Sequence, residues 1–245
     1  MTRIIVACDN MSPTEIYTFA QKNRSKDYLI KINSALAEVG VSLIDSIHHP
    51  NHFLPDGSRR QVMADPKYHD IPNTIANYCR NLTSRDPFKR GRNIPEILTV
   101  HMSGGVVMMA TAQNNLTGSA IYGVGVLTSI GHQTCIEIYR RSPKKQMEVF
   151  ADMALEAGIA GIVCSPLELK MIRSKPRFDR LKTLVPGIRP TYLPVKNDDQ
   201  KRYATPAQAV RWGADDLVIG RPITEAPDPI LALQRIREEI ESVCH

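Results

Sequence analysis

The chain has 245 residues, of which 42% are hydrophobic, and a formal net charge of +6 at pH 7. This length and apolar content suffice for one large α/β barrel or two small domains with a substantial core. The Lys and Arg residues are scattered, and neither a long basic run nor an aromatic platform accompanies them. The charge therefore favours attraction of small anions and argues against a nucleic-acid-binding protein.

Cysteine use and hydropathy indicate the class of protein. The cysteines lie at positions 8, 79, 135, 164 and 244, odd in number and widely spaced, with no CxxC pair. This pattern predicts neither a disulfide framework nor a zinc site. The N-terminus has the composition of a strand, and no apolar run reaches about 18 residues. We therefore expect no signal peptide, no contact with a membrane and a cytoplasmic location.

Short apolar runs rich in β-branched residues recur along the chain. The predicted strands are residues 4–8, 28–32, 61–65, 97–101, 121–127, 161–164, 183–186 and 216–220. Most of these runs are continuously apolar rather than alternating, which is typical of strands buried on both faces of a parallel sheet.

Helical patterns lie between these runs. The predicted helices are residues 13–24, 35–48, 72–82, 106–115, 143–157, 166–173, 206–212 and 229–241. Proline near the start of several of them is a helix-opening signal. Eight β–α units in one chain of this length predict a (β/α)8 TIM barrel, a single α/β domain over residues 1–245, with the active site at the C-terminal ends of the strands.

The third predicted strand ends in three charged residues, Asp65, Lys67 and Asp70. Side chains alternate along a strand, so Asp65 and Lys67 should project to the same face. A lysine beside carboxylates stays protonated, which makes it a poor base but a well-placed acid for a carbanion. Taken alone, this pattern is more simply an exposed ion pair at a strand end.

Other strand ends change that interpretation. Lys31 lies in the second predicted strand, so together with Asp65 and Lys67 it would form a cluster of alternating charge. Loops after strands seven and eight commonly bind phosphate in such barrels, and Arg189 and Arg221 lie there. Gly220 would let a backbone N–H group approach the anion closely.

Five segments, in this order and at these spacings, resemble orotidine 5′-phosphate decarboxylase of the bacterial type. They are DPKYHDIPNT (65–74), LTS (127–129), PGIRP (186–190), DQ (199–200) and VIGRPIT (218–224). The resemblance runs from Ile4 to about Pro229. It implies a (β/α)8 homodimer with shared active sites, without cofactor or metal, that converts orotidine 5′-monophosphate to UMP and carbon dioxide.

The resemblance also implies residue roles. Lys67 would protonate C6 of the pyrimidine, Asp65 would lie against the substrate carboxylate, and Lys31 would contact the ribose and the charge network. Asp70 and Thr74 would reach the partner subunit's site. The remaining contacts would come from Asp9 to the ribose hydroxyls, from Thr128 or Ser129 to the pyrimidine edge, and from Arg189, Gln200, Gly220 and Arg221 to the phosphate.

The chain departs from the family pattern in several places. Pro66 stands where the family usually has an aliphatic residue, so a ladder hydrogen bond is lost inside the motif. Residues 49–60, 85–92 and 191–203 form longer irregular stretches than expected. His69 and His101 lack the spacing of metal ligands, which favours a structural role for both.

Two other functions remain open. A magnesium-dependent sugar-phosphate decarboxylase or aldolase would share the D-x-K-x-x-D and phosphate motifs, but LTS (127–129) and DQ (199–200) match the nucleotide enzyme better. A noncatalytic nucleotide- or RNA-binding barrel is suggested only by the basic charge. Such a barrel would have little reason to retain a costly charge cluster.

Overall fold

The structure is a computed structural model that describes residues 2–49, 53–83, 94–192 and 203–243. Its strands form a closed parallel barrel in sequence order, with β8 paired to β1. The strands are β1 (Arg3–Ala7), β2 (Tyr28–Ile32), β3 (Val62–Tyr68), β4 (Ile97–His101), β5 (Ala120–Val124), β6 (Gly161–Val163), β7 (Lys182–Val185) and β8 (Asp216–Ile219). The predicted (β/α)8 barrel is confirmed, and each predicted strand overlaps an observed one.

Helices follow the strands around the barrel. They are α1 (Pro13–Lys22), α2 (Ser34–Val39), α3 (Ser42–Ile47), α4 (Pro72–Thr83), α5 (Gly105–Asn115), α6 (His132–Tyr139), α7 (Pro143–Ala157), α8 (Pro166–Arg173), α9 (Pro206–Arg211), α10 (Arg221–Thr224) and α11 (Pro229–Glu241). None of the helices in these described residues is long and apolar enough to cross a bilayer.

The single helix predicted over residues 35–48 is wrong, because the chain forms α2 and α3 there. Gly40 ends α2 with φ +67, a left-handed conformation that glycine adopts without steric cost. Helices α6 and α10 were not predicted. The N-cap of α6 is Gly131, which provides no side-chain cap, so the sequence marks its start only weakly.

Several helix starts follow directly from the sequence. Proline occupies the first turn of α1, α7, α8, α9 and α11, where its missing N–H costs nothing. In α1 the Ser12 hydroxyl accepts the Glu15 N–H, and the Glu15 carboxylate accepts the Ser12 N–H. This reciprocal cap fixes the direction in which the chain leaves β1 and enters α1.

The apolar core has two layers. A small interior cluster fills the barrel, and a larger one packs between strands and helices. Leu29, Met63 and Ile97 belong to the interior cluster. Because side chains alternate along a strand, the residues two positions later also face the barrel interior, at its C-terminal end. Those residues are Lys31 and Thr99 as well as Asp65, and all three are buried.

Polar side chains close the opposite, N-terminal end of the barrel. Arg3 donates to both Asp216 oxygens, at 2.6 and 2.9 Å, and the Tyr122 hydroxyl donates to Asp216 Oδ2 at 2.8 Å. The Asp216 side chain is fully buried. A buried carboxylate with this bidentate partner is well satisfied and stabilises the closed end.

Candidate active site

A cavity of about 210 Å³ opens at the C-terminal ends of the strands. Charged and polar side chains line one wall, including Asp9, Lys31, Asn33, Asp65 and Lys67. Apolar residues from β5, β6 and the chain beyond them line the other wall, among them Val126 and Leu127. One charged wall facing one apolar wall suits a flat ring that carries a charged substituent.

Asp65 is the centre of the charged wall. Its Oδ2 accepts hydrogen bonds from Lys67 Nζ at 2.7 Å, from Lys31 Nζ at 3.2 Å and from Asn33 Nδ2 at 3.2 Å. Its Oδ1 accepts a hydrogen bond from Thr99 Oγ1 at 2.8 Å. Lys31 also donates to Asp9 Oδ1 at 2.6 Å. The chain therefore places two ammonium groups and two carboxylates in alternation, the cluster that the strand ends predicted.

Burial and mutual attraction compete in setting the ionisation of this cluster. Burial by itself lowers the pKa of Lys31, but the carboxylates of Asp65 and Asp9 more than offset this, so its pKa is raised. Burial by itself raises the pKa of Asp65, yet Lys31, Lys67 and the Thr99 hydroxyl hold it below its ordinary value. Both groups are therefore charged at neutral pH.

The backbone that presents Lys67 is not a regular strand. Lys67 has φ +52, in the left-handed region, and the register of β3 against β4 shifts between Ala64 and Tyr68. Ala64 pairs with Leu98 and Tyr68 with Val100, so residues 65–67 lie opposite Thr99 alone. Asp65 and Lys67 do meet, as period-two alternation predicts, but through a bulge. Pro66 has no N–H to donate to the ladder, which is compatible with such a bulge.

A second cavity, of about 360 Å³, adjoins the first and shares Asp9, Pro186 and Val218 with it. Its other lining residues include Arg189, Gly220 and Arg221 from the chain after β7 and β8. A Cβ at position 220 would lie 3.3 Å from the Ala7 carbonyl oxygen, tighter than ordinary contact. Glycine at this position therefore allows close packing against β1, where any larger residue would press on the backbone.

The other predicted substrate-binding residues fall into three groups. Thr128 lines the first cavity, whereas Ser129 is exposed and is not among the described residues that line it. Asp70 is exposed and Thr74 is half-buried, and neither lines the first or the second cavity. Gln200 lies outside the described residues, as do 50–52, 84–93 and most of 191–203.

Asp70 and Thr74 lie at the start of α4, beyond the mouth of the barrel. The Asp70 carboxylate accepts the Ile71 N–H at 2.7 Å, and the Ile71 side chain is 66% exposed. Both residues therefore lie on the surface of their own chain, outside the charged cluster at the C-terminal end of the barrel.

Sequence reasoning missed Asn33 and Thr99, both of which contact Asp65. Neither residue is charged and neither belongs to a familiar motif, so composition gave no signal. Their positions did carry a signal. Thr99 follows the interior residue Ile97 by two residues and Asn33 follows Lys31 by two, the spacing of residues on the same face of a strand.

His69 and His101 lie beside the site without joining it. The Ser103 hydroxyl is 2.8 Å from His101 Nδ1 and 3.3 Å from His69 Nε2. Burial is the largest cause that lowers the pKa of His101, and the nearby His69 and Lys67 lower it further. Within residues 2–49, 53–83, 94–192 and 203–243, no group of three or more His, Cys, Asp or Glu side chains is arranged to hold a metal ion.

Comparison with known proteins agrees with this geometry. The family model described as "Orotidine 5'-phosphate decarboxylase / HUMPS family" matches residues 2–236. The chain belongs to this family. It is 36% identical to the orotidine 5′-phosphate decarboxylase of Nitrosomonas eutropha, covering 98% of each chain. It is 34% identical to that of Wolbachia pipientis subsp. Culex pipiens, covering 98% of this chain and 99% of the other.

Solved structures of the family have the same fold. The crystal structure of orotidine 5′-phosphate decarboxylase from Lactobacillus acidophilus superimposes with a TM-score of 0.77 at 27% identity, covering 98% of this chain and 99% of that one. The decarboxylase from Pyrococcus horikoshii OT3 gives a TM-score of 0.70 at 22% identity, which shows likeness of fold.

Proposed function

We propose that this chain is an orotidine 5′-phosphate decarboxylase, a carboxy-lyase that converts orotidine 5′-monophosphate to UMP and carbon dioxide in pyrimidine biosynthesis. The observation that carries the proposal is the position of Lys67. Its ammonium is 2.7 Å from Asp65 and lines the cavity that adjoins the one lined by Arg189 and Arg221. A nucleotide would place its base in the first cavity and its phosphate in the second.

Charge placement accounts for the chemistry. Loss of carbon dioxide from C6 leaves an electron pair that the pyrimidine ring delocalises poorly, so the barrier is high without help. A fixed ammonium beside C6 stabilises the developing negative charge and then protonates the carbon. The Lys67 side chain is 35% exposed and lines the first cavity, which leaves its ammonium accessible to a bound ring. Lys67 is therefore the proposed acid.

Asp65 has two proposed roles. Its carboxylate orients Lys67 through the 2.7 Å contact, and as a buried anion it would lie against the substrate carboxylate. Repulsion between two like charges would be relieved as carbon dioxide leaves. Lys31 and Asp9 complete the charge network, and Asp9 lines both cavities, where it can accept hydrogen bonds from ribose hydroxyls.

Binding of the remaining substrate groups is proposed from the lining residues. Thr128 is the better placed of the two candidates for the pyrimidine edge, because it lines the first cavity. Arg189 and Arg221 would provide charge-assisted hydrogen bonds to the phosphate, and Gly220 would leave room for it. Gln200 and Ser129 stay in the proposed set on the family resemblance alone. Contacts this far from C6 can contribute to catalysis by fixing the ring beside Lys67.

A homodimer with shared active sites is also part of the proposal. Asp70 and Thr74 lie past the end of β3 and outside both cavities of their own chain, next to the exposed Ile71. A twofold interface over the start of α4 would bring Asp70 and Thr74 of each protomer to the other's site. A cytoplasmic location and a lack of nucleic-acid or membrane partners remain predictions from the sequence.

The experiment that tests the function is an absorbance assay of purified protein with orotidine 5′-monophosphate, run with and without EDTA. We expect conversion to UMP at a rate that EDTA leaves unchanged, because the proposed reaction uses only side chains. Absence of turnover would refute the proposal. Turnover of a sugar phosphate that EDTA abolishes would instead establish the magnesium-dependent decarboxylase or aldolase.

A further inference from the structure

Thr99 links the two residues at the centre of the site. Its hydroxyl oxygen accepts the backbone N–H of Lys67 at 3.0 Å, and its hydroxyl proton is donated to Asp65 Oδ1 at 2.8 Å. One side chain on β4 is thus the middle member of a chain of hydrogen bonds from the Lys67 backbone to the Asp65 carboxylate. Each bond in such a chain polarises the next and strengthens it.

The position of Thr99 explains why this contact forms. Residues 65–67 of β3 lie opposite Thr99 alone, so the regular pairing of β3 with β4 is interrupted there. Pro66 has no N–H, and the Lys67 N–H is turned away from its usual partner by φ +52. The fully buried Thr99 hydroxyl supplies the acceptor that this N–H needs.

The backbone conformation of Lys67 needs support from its surroundings. A left-handed conformation is unfavourable for a lysine and persists only where the surroundings hold it. The ammonium of Lys67 lies at the end of a long side chain, so a change in its backbone dihedral angle would move it away from Asp65. The Lys67–Asp65 contact by itself fixes neither the backbone dihedral angle of Lys67 nor the orientation of the Asp65 carboxylate.

We propose that Thr99 is a positioning residue whose hydroxyl holds the Lys67 backbone in its left-handed conformation and the Asp65 carboxylate in one orientation. The Lys67 ammonium is thereby kept beside the reacting carbon. This inference rests on the proposed decarboxylation. Thr99 does not line either cavity, so it acts through Lys67 and Asp65 rather than by contact with the substrate.

The test replaces the hydroxyl while keeping the side-chain shape. Thr99→Val removes both hydrogen bonds, and Thr99→Ser keeps them. Thr183→Val is the matched control, because Thr183 is also a fully buried strand threonine bonded to a carboxylate, Asp215, outside the site. Thr99→Ala is a second hydroxyl-free variant in case Thr99→Val does not fold.

In the decarboxylation assay, Thr99→Val should lower kcat roughly tenfold to a hundredfold, as expected for a misplaced catalytic group. Its KM should change little, because the proposed substrate contacts remain. Thr99→Ser should recover kcat to within about threefold, and Thr183→Val should keep the wild-type kcat. Wild-type kcat in the hydroxyl-free variants, or a Thr99→Ser as impaired as Thr99→Val, would overturn the inference. An equal loss in Thr183→Val would do so as well.

A second readout does not depend on activity. Hydrogen exchange of the Lys67 amide, followed by NMR in the unliganded protein, should speed up at least about tenfold in Thr99→Val and stay slow in Thr183→Val, since only the former loses the acceptor. If the wild type proves inactive, the proposed function fails while this measurement still decides the role of Thr99. Unchanged exchange in Thr99→Val would show that its hydroxyl does not hold the backbone.

Discussion

Lys67 Nζ lies 2.7 Å from Asp65 Oδ2, although the backbone between the two residues is bulged rather than extended. Asp65 is buried, whereas the Lys67 side chain keeps about a third of its surface exposed to the cavity. In this pair the Asp65 carboxylate is therefore held in the interior, whereas the Lys67 ammonium is accessible from the cavity. That asymmetry suits a carboxylate that orients and an ammonium that reacts, and the first prediction depends on it.

Removal of the ammonium should abolish the reaction while preserving the fold. We expect Lys67→Ala to fold, to bind UMP, and to lose decarboxylation by several orders of magnitude, because charge stabilisation and proton delivery both disappear. The measurement is the absorbance assay combined with UMP titration. Lys144→Ala, at an exposed position on α7, is the control and should behave as wild type. Activity of Lys67→Ala within about tenfold of wild type would refute the assignment.

The Arg221 guanidinium should contribute through the phosphate. Arg221→Ala removes a charged hydrogen bond worth roughly 1.5 to 3 kcal/mol, so kcat/KM for orotidine 5′-monophosphate should fall about tenfold or more. With orotidine, which lacks the phosphate, variant and wild type should differ little. Arg141→Ala, at an exposed position between α6 and α7, controls for general loss of positive charge. An equal loss on both substrates would make Arg221 structural.

Two inactive variants should restore activity in a mixed dimer. In the proposed dimer, Lys67→Ala would damage the site of its own chain and Asp70→Asn the site of the partner subunit. We choose asparagine because the Asp70 carboxylate accepts the Ile71 N–H before α4, and an asparagine side chain can do the same. One site of each heterodimer then carries both lesions and the other carries neither. Random equal mixing should therefore recover roughly a quarter of wild-type activity.

The measurement is turnover after subunit exchange, with native mass spectrometry to count heterodimers. Mixing each variant with wild-type subunits controls for the exchange itself. If heterodimers form and the mixture stays as inactive as its components, Asp70 acts within its own chain.

The ion pairs of Asp65 should make stability depend on pH in a defined window. Its carboxylate is buried, but Lys31, Lys67 and Thr99 hold its pKa below the ordinary value of about 3.9. The folded state thus binds the proton more weakly than the unfolded state. The resulting stability is fully present above the unfolded pKa and is lost as pH falls through the folded one.

Asp65→Asn should accordingly lower the free energy of unfolding at pH 7, by about 3 kcal/mol, since it leaves Lys31 and Lys67 short of a partner. The difference from wild type should shrink as the pH falls below about 4. Urea unfolding at a series of pH values measures this, with the exposed Asp179→Asn as control. If Asp65→Asn and wild type differ by the same free energy of unfolding at both ends of the pH range, the lowered pKa of Asp65 would be contradicted.

The sequence predicted the strands well because each is a buried apolar run with no competing pattern. It failed at residues 35–48, where an uninterrupted helical pattern concealed the break at Gly40, which ends α2 with φ +67. At the site, charge revealed Lys31, Asp65 and Lys67. Period-two alternation correctly predicted that Asp65 and Lys67 converge, but not the bulge, because the shift in register between Ala64 and Tyr68 arises in the pairing of β3 with β4.

The closed N-terminal end of the barrel affects where small molecules enter and leave the protein. Arg3, Tyr122 and Asp216 bond together there, and the interior cluster fills the barrel between them and the cavity. Within the described residues this packing fills the barrel axis, so carbon dioxide released in the proposed reaction would leave at the C-terminal end, where both cavities lie. Orotidine 5′-monophosphate, carbon dioxide and UMP would then all pass the same end of the barrel, and the order in which the two products leave would depend on how tightly each is bound there.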